Sequence, residues 1–172
     1  MLIIIKDYKE IDERKLMDVY AEGNYENVEY FFPEEKNITL GIKKVEEGFL
    51  DFLRNEFFKN INNRYYVLEE DGIWISALRL HIIKNNFYYL EALETRVDYR
   101  RQGYATKLLE SVINELKKNG SFKICDCVSK RNLASLETHK KCGFKIVADK
   151  GYDYLQNEES ERDYSLEYEY KE

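Results

Sequence analysis

An arginine-rich turn followed by a helix carries the strongest chemical signal in the sequence. The turn is Arg100-Arg101-Gln102-Gly103-Tyr104-Ala105, and it follows a predicted strand, Tyr88–Val97. The first N–H groups of a helix have no partner inside the helix and lie at the positive end of its dipole, so they bind anions. Gly103 has no Cβ and lets a ligand approach the backbone closely. The turn therefore predicts a site for a phosphate or pyrophosphate group.

The helix after this turn is predicted by its apolar spacing. Lys117 and Lys118 suit the negative end of the helix dipole, and Gly120 is a typical C-terminal stop. A buried stripe with helical period is formed by Ala105, Leu108, Leu109, Val112, Ile113 and Leu116.

The spacing of the turn excludes two common phosphate motifs. A P-loop needs two glycines and a Lys-Ser/Thr pair, and the dinucleotide fingerprint needs three glycines, whereas this turn has one. The pattern that remains, R-x-x-G-x-A, resembles the acyl-CoA pyrophosphate loop of the GNAT superfamily of N-acyltransferases, Q/R-x-x-G-x-G/A. Arg100, Gly103 and Ala105 match that pattern.

A second stretch, Asn132–Phe144, resembles the other GNAT signature, N-x-x-A-x-x-x-Y-x-x-x-G-F. Asn132, Gly143 and Phe144 match, while Ser135 replaces the usual alanine and His139 stands at the tyrosine position. Because both signatures occur in the expected order, the chain is identified as a member of this superfamily.

The resemblance implies a mixed α/β fold over one domain, residues 1–172. Antiparallel N-terminal strands would precede a splayed central pair of parallel strands flanked by helices. Acetyl-CoA would be the co-substrate, with its pantetheine arm along the strand and its pyrophosphate on the turn. The cofactor contacts implied are Leu93, Thr95, Val97, Arg100, Arg101, Gln102, Gly103, Tyr104, Ala105, Thr106 and Asn132.

The implied reaction is direct attack by a primary amine on the thioester, which a general base and a proton donor assist. Glu91 and Glu94 are the base candidates; they face opposite ways in a regular strand, and only a bulge brings both to one face. Glu91 is preferred because Tyr89-Leu90-Glu91 resembles a segment in which some aminoglycoside-type members carry a carboxylate. His139 is the candidate proton donor. An ion-pairing role for either glutamate, and no role for His139, remain open.

The elements that must position these residues follow from the same patterns. Helices are predicted after Asp12 and over Val45–Phe58, and Gly23–Pro33 is expected to be irregular, covering the core or a pocket. The predicted strands are Leu2–Tyr8, Arg64–Glu69, Ile73–Ile83, Tyr88–Val97, Phe122–Val128, Phe144–Val147 and Arg162–Tyr170, with a short helix at Ala134–Cys142 and a charged turn at Glu158–Glu161.

Charge is distributed unevenly along the chain, whose net charge is −6. Residues 96–141 hold 11 basic and five acidic residues, and the remainder holds 16 basic and 28 acidic. This balance disfavours nucleic-acid binding and suits a polyanionic cofactor together with a cationic amine. Three cysteines and two histidines give no metal-ligand spacing, so no metal is expected. No targeting or membrane segment is visible, which predicts a cytoplasmic protein.

Two other functions remain open from the sequence. One is a non-catalytic acyl-CoA-binding or regulatory module of the same fold, which the replacement at His139 would suit. The other is a domain that binds a different phosphate ligand, such as a nucleotide. The acceptor amine, the acyl chain length and the oligomeric state are left open, with a homodimer as one option.

Overall fold

A seven-stranded mixed sheet organises the computed structural model, which describes residues 1–172. The strand order is β1-β2-β3-β4-β5-β9-β6, and a separate hairpin is formed by β7 and β8. The strands are β1 Leu2–Ile5, β2 Arg64–Glu70, β3 Ile73–Lys84, β4 Phe87–Thr95, β5 Phe122–Ser129, β6 Lys145–Ala148, β7 Gly151–Asp153, β8 Glu158–Ser160 and β9 Asp163–Tyr170. The helices are α1 Glu13–Val19, α2 Ala21–Phe31, α3 Ile38–Asn55, α4 Tyr104–Lys117 and α5 Leu133–Lys141.

The parallel pair β4–β5 splays apart. Its pairing covers three positions only and ends at Tyr89 opposite Cys125. From Leu90 onward β4 keeps β3 on one side, while its other edge has no strand partner. All other neighbouring pairs in the sheet are antiparallel. The predicted fold class is therefore confirmed, including the opening between the two central strands.

Each face of the sheet buries its own hydrophobic cluster. On one face, Leu108, Leu109 and Val112 of α4 pack on Leu78 and Leu90 of the central strands. The opposite face is covered by α1 and α3, whose Leu16 and Leu53 join Tyr65, Trp74 and Ala77. Because side chains of one strand alternate between faces, β3 and β4 contribute to both clusters.

The N-terminal helices differ from the sequence-based expectation. The segment expected to be irregular, Gly23–Pro33, is mostly helix α2, and α3 begins at Ile38 rather than Val45. Asn37 caps α3 by accepting a hydrogen bond from Leu40 N–H at 3.2 Å. A Cβ on Gly41 would lie 2.4 Å from Val28 Cγ1, so the glycine permits α2 and α3 to pack closely. Tertiary packing thus stabilises α2, whose own apolar pattern is weak.

Smaller corrections concern strand ends and the C-terminal region. Strand β4 ends at Thr95, and Val97–Tyr99 forms a 3-10 turn instead of continuing the strand. The expected charged turn at 158–161 is mostly strand β8, paired with β7. The polar, Tyr-rich strand β9 lies near the sheet edge, as its sequence predicts, between β5 and the edge strand β6. No helix combines the length and the apolar composition needed to cross a bilayer.

Candidate functional site

The turn between β4 and α4 has the backbone geometry of an anion site. Gly103 is the N-cap of α4 with φ of 82°, and Arg101 is also left-handed with φ of 59°. No side chain caps the helix. The N–H groups of Arg101, Gln102 and Gly103 donate to no backbone acceptor, and the first turn of α4 (Tyr104, Ala105 and Thr106) adds N–H groups that lack intrahelical partners. Several free donors thus converge where the helix dipole is positive.

The side chains of this turn are mostly engaged elsewhere. Arg100 pairs with Glu22 and Glu94, the latter at 2.9 Å, and its Nε donates to Thr95 O at 3.1 Å. Gln102 Nε2 donates to Asp98 O at 3.1 Å. Arg100 therefore ties the turn to β4 and α2, and the anion-binding capacity lies mainly in the backbone.

The positions expected to face the cofactor's arm lie beside the splayed opening. Leu93 and Thr95 belong to the part of β4 that has no partner on the β5 side. Thr95 is nearly buried, with its Oγ1 2.9 Å from Ser76 Oγ. Val97 lies beyond the strand in the 3-10 turn and is 53% exposed. The free edge of β4 can accept one added extended segment by main-chain hydrogen bonds.

A bulge in β4 changes the direction of the two candidate glutamates. Arg79 lies opposite Glu91, and Ala77 lies opposite Glu94. Three residues along β4 therefore span the same length of the ladder as two residues along β3. Ala92 within this bulge has a left-handed φ of 55°, and its carbonyl accepts a hydrogen bond from Tyr20 Oη at 2.6 Å. The bulge brings Glu91 and Glu94 to the same face of the sheet, the arrangement that a regular strand forbids.

The two glutamates nevertheless have different surroundings. Glu91 Oε2 accepts hydrogen bonds from Arg79 Nε at 3.0 Å and from His81 Nε2 at 2.7 Å. Burial alone would raise the pKa of Glu91, but the hydrogen bond from His81 and the charge of Arg79 outweigh burial and lower it. Glu94 instead pairs with Arg100 and lines a cavity. Glu91 is thus held in a partly buried ion pair, while Glu94 lines the cavity.

The cavity beside Glu94 has a volume of about 560 Å³ and lies between α2, α3 and the bulge. Aromatic side chains form much of its wall, and the amides of Asn24 and Asn27 add polar groups. The Arg79 guanidinium lies 4.8 Å from the Phe52 ring centroid, so it is covered on this side. The aromatic lining consists of Tyr20, Phe31, Phe32, Phe49 and Phe52.

His139 lies on the opposite face of the sheet and is paired with a residue that the sequence reasoning missed. It is 1% exposed, and its Nε2 lies 2.8 Å from Oδ2 of Asp126 on β5. Its Nδ1 donates to Ser135 O at 2.8 Å. Asp126 could have been found because it interrupts the inward-facing series Phe122, Ile124, Val128 of its strand with a charge.

Burial and mutual attraction act together on this pair. Burial raises the pKa of Asp126, against the effect of His139. Burial alone would lower the pKa of His139, but the Asp126 carboxylate outweighs it and raises the pKa. Asn132, the other residue of the second signature, caps α5 by accepting a hydrogen bond from Ser135 N–H at 3.1 Å. It thereby fixes the helix that carries His139.

Three solved structures have the same fold over almost their full length. PaiA N-acetyltransferase from Thermoplasma acidophilum, in complex with coenzyme A, is 21% identical, with 99% of each chain covered and a TM-score of 0.66. The ribosomal-protein-S18-alanine N-acetyltransferase from Escherichia coli is 19% identical, covering 100% of this chain and 96% of its own, with a TM-score of 0.61. The putative acetyltransferase yncA from Salmonella typhimurium, with its cofactor acetyl-CoA, is 14% identical, covering 100% and 95%, with a TM-score of 0.59.

Sequence comparison adds the family. No curated protein matches the chain. The family model described as "Acetyltransferase (GNAT) family" matches residues 24–144, which include the turn, the bulged strand and the second signature. That match spans well over half of the chain, and the fold is that of the three acetyltransferase structures. The chain therefore belongs to the GNAT acetyltransferase family.

Proposed function

We propose that this protein transfers an acetyl group from acetyl-CoA to a primary amine by direct attack within a ternary complex. The observation that carries the proposal is the combination of a splayed β4–β5 pair with a turn of unpartnered N–H groups at the end of β4. The similar structures of PaiA and yncA contain coenzyme A and acetyl-CoA, respectively. Family membership supports acetyl transfer, and the amine acceptor is the finer part of the proposal.

The residues of the opening fit the chemistry of this co-substrate. The N–H groups of residues 101–106 would hold the pyrophosphate, because they combine free donors with the positive end of α4. The free edge of β4 at Leu93 and Thr95 would hold the pantetheine arm. When bound, acetyl-CoA supplies a thioester whose carbonyl carbon the amine attacks. N–H groups at the β4 bulge would then stabilise the charge that develops on the carbonyl oxygen.

Glu94 is proposed as the group that receives the proton of the attacking amine. It lines the cavity beside the bulge, so a bound amine can reach its carboxylate. Glu91 shares the same face, but its Oε2 already accepts from Arg79 and His81, and its pKa is lowered. Glu94 Oε1 also accepts hydrogen bonds, from Arg100 Nη2 at 2.9 Å and from the Thr95 N–H at 3.1 Å, so the feature that favours Glu94 is its place in the cavity wall.

The acceptor is proposed to be cationic. Helix α2, which borders the cavity, carries Glu22, Glu26 and Glu29 and no basic residue. The cavity's aromatic wall also favours cations, because ring faces carry negative electrostatic potential. The lining also contains Arg79 and Lys44, and each is paired with a carboxylate, Glu91 and Glu35 respectively, so neither opposes this preference. Aliphatic diamines, amino sugars and lysine-like side chains share the required chemistry.

An amine panel tests the proposal directly. The protein of residues 1–172 is incubated with acetyl-CoA and matched cationic, neutral and acidic primary amines, and thiol release is measured. We expect cationic amines to be consumed fastest. Equal turnover of all three classes would contradict the cationic preference. Binding of acetyl-CoA without thiol release for any amine would instead indicate a non-catalytic acyl-CoA-binding module. Stabilisation by ATP or NAD, with none by coenzyme A, would indicate a nucleotide-binding domain.

A further inference from the structure

The contacts of His139 require a proton to be stored between its ring and Asp126. Ser135 O can only accept, so the proton on Nδ1 is fixed by that hydrogen bond at 2.8 Å. In a neutral ring Nε2 is then a bare acceptor, yet it lies 2.8 Å from the carboxylate oxygen Oδ2. Two facing lone pairs in a buried site repel each other. One proton must therefore reside on the pair, either on Nε2 or on the carboxyl group.

The two members of the pair are close to each other, but their hydrogen bond is not well directed. His139 Nε2 is the one buried side-chain nitrogen or oxygen without a properly directed hydrogen bond, although Asp126 is near enough for one. Buried polar groups are almost always fully hydrogen-bonded in folded proteins, and exceptions often have a functional role. The edge of the His139 ring is otherwise closed by Phe144, whose centroid lies 5.0 Å away.

Asp126 is the member of the pair that belongs to a strand of the splayed opening. The last paired position of β4 and β5 is Tyr89–Cys125, so Asp126 is the first β5 residue at the apex of the gap. Its side chain is 10% exposed, whereas that of His139 is 1% exposed. Asp126 is thus the more exposed member of the pair and the one that lies on a strand bordering the gap.

We propose that Asp126 and His139 share one proton and that Asp126 delivers it to the thiolate sulfur released during acetyl transfer. This inference rests on the proposed function. As the new C–N bond forms, the C–S bond breaks and its electron pair leaves on sulfur. The shared proton moves from His139 Nε2 onto Asp126 and from Asp126 to the sulfur, which gives the thiol, and solvent then returns one proton to the pair. Asp126 is then a catalytic residue, and His139 is a positioning residue.

The electrostatic surroundings support retention of the proton. Glu91 on β4 is the other acidic group that acts on Asp126, and its negative charge adds to the rise in pKa that burial causes. On the helix side, Asp126 is the one charged group that acts on His139, and it raises the pKa of the ring. Both shifts therefore favour retention of a proton by the pair.

The first test measures the proton in the free protein, without any cofactor. The chain has two histidines, so ring ¹⁵N spectra contain two imidazoles, and the His139 signal is the one lost in His139→Gln. We expect His139 to lose its ring proton with a midpoint above the 6.5 of an ordinary histidine. In Asp126→Asn this midpoint should fall below that of the wild type, because the carboxylate that raises it is gone. A midpoint that Asp126→Asn leaves unchanged would overturn the proton-sharing claim.

The second test measures delivery of the proton. In Asp126→Asn we expect kcat near neutral pH to fall about a hundredfold, with KM for acetyl-CoA nearly unchanged and the alkaline decline of the rate abolished. In His139→Gln, whose amide can still donate to Asp126, the alkaline decline should move to lower pH. Asp149→Asn is the matched control, because it makes the same chemical change at a side chain that is 84% exposed.

The outcomes separate this inference from the proposed function. A wild-type rate and pH profile in Asp126→Asn, with the variant folded by thermal melting, would overturn proton delivery by Asp126. If no amine releases thiol with the wild-type protein, the proposed function fails, and the proton delivery that rests on it fails too. The ring spectra of the free protein would still decide whether the pair holds a proton.

Discussion

The two sides of strand β4 offer a ligand different kinds of groups. On the side of the splayed opening, the turn after β4 offers backbone N–H groups, and the side chain of Arg100 is engaged with carboxylates. On the bulge side, the relevant groups are side chains, namely Glu91, Glu94 and Arg79, held by ion pairs beside an aromatic cavity. The first region would bind its ligand through backbone N–H groups, and the second would bind its ligand through side chains.

This difference explains why the two regions are recognised unequally from the sequence. A backbone site needs a residue that tolerates a left-handed conformation, so Gly103 marks it in the sequence. A side-chain site depends on which groups the fold brings together, and the partners can be far apart in the chain. Glu94, for example, meets Arg100 and borders residues of α2 and α3.

The largest effect is expected for Glu94→Gln, which breaks the side-chain region. At neutral pH the rate should fall about a hundredfold, because the amine loses its proton acceptor. The loss should shrink at high pH, where a larger fraction of the amine is already unprotonated. The pH profile of kcat/KM is the measurement.

Glu91→Gln is the matched comparison for this prediction. We expect its main effect on stability, since Arg79 and His81 would lose their shared carboxylate in a partly buried position. Chemical denaturation should show that loss. If Glu91→Gln instead gives the pH-dependent rate loss while Glu94→Gln retains activity, the base is Glu91.

The backbone region is tested by Gly103→Val. A β-branched residue at φ of 82° costs about 1–2 kcal/mol and displaces the adjacent N–H groups. Coenzyme A affinity, measured by calorimetry, should fall about tenfold or more. Gly120→Val is the control, because Gly120 is also left-handed, with φ of 89°, but lies beyond the opposite end of α4. Equal affinity loss in both variants would argue against the turn as the pyrophosphate site.

Arg100→Gln sharpens the comparison, because Arg100 belongs to both regions. Its guanidinium contacts Glu94 and Glu22, whereas the turn's ligand-binding groups are N–H donors of the backbone. We expect coenzyme A affinity to change by about threefold or less, while kcat falls more, since Glu94 loses its positioning partner. A loss confined to coenzyme A affinity would show that the guanidinium itself binds the cofactor.

The smallest effect concerns stability and pH. The pKa of His139 is raised in the folded protein, so its contribution to stability is fully present below pH 6.5 and is lost as the pH rises through the raised value. The free energy of unfolding should therefore decline above neutral pH as this contribution disappears. Urea unfolding midpoints in that range should decline more steeply in the wild type than in His139→Gln. Parallel curves would contradict the raised pKa.

The sequence predicted the elements whose local pattern and tertiary role agree. The apolar stripe of α4, the Asp12 cap of α1 and the hairpin between β2 and β3 are examples. The fold class and the family are confirmed as well. The helix, the cap and the hairpin are each determined by residues that lie close together in the sequence.

Other features depend on contacts between distant residues and could not be predicted. Helix α2 depends on the close approach of Val28 to Gly41, which neither local pattern indicates. From the sequence, Glu91 and Glu94 could share a face only if β4 contained a bulge. A strand pattern does not show where an extra residue enters, so the bulge at Ala92 could not be predicted. The partner of His139, Asp126, lies 13 positions away on another element.

The position of β9 in the sheet bears on how the protein can fold during synthesis. Strand β5 pairs with β4 at three positions and with β9 at eight, so most of its ladder is supplied by a strand that leaves the ribosome well after β5 itself. The N-terminal meander β1–β4 can assemble earlier from neighbouring segments. Strand β5 completes its ladder, and with it one wall of the opening, only after residues 163–170 have emerged.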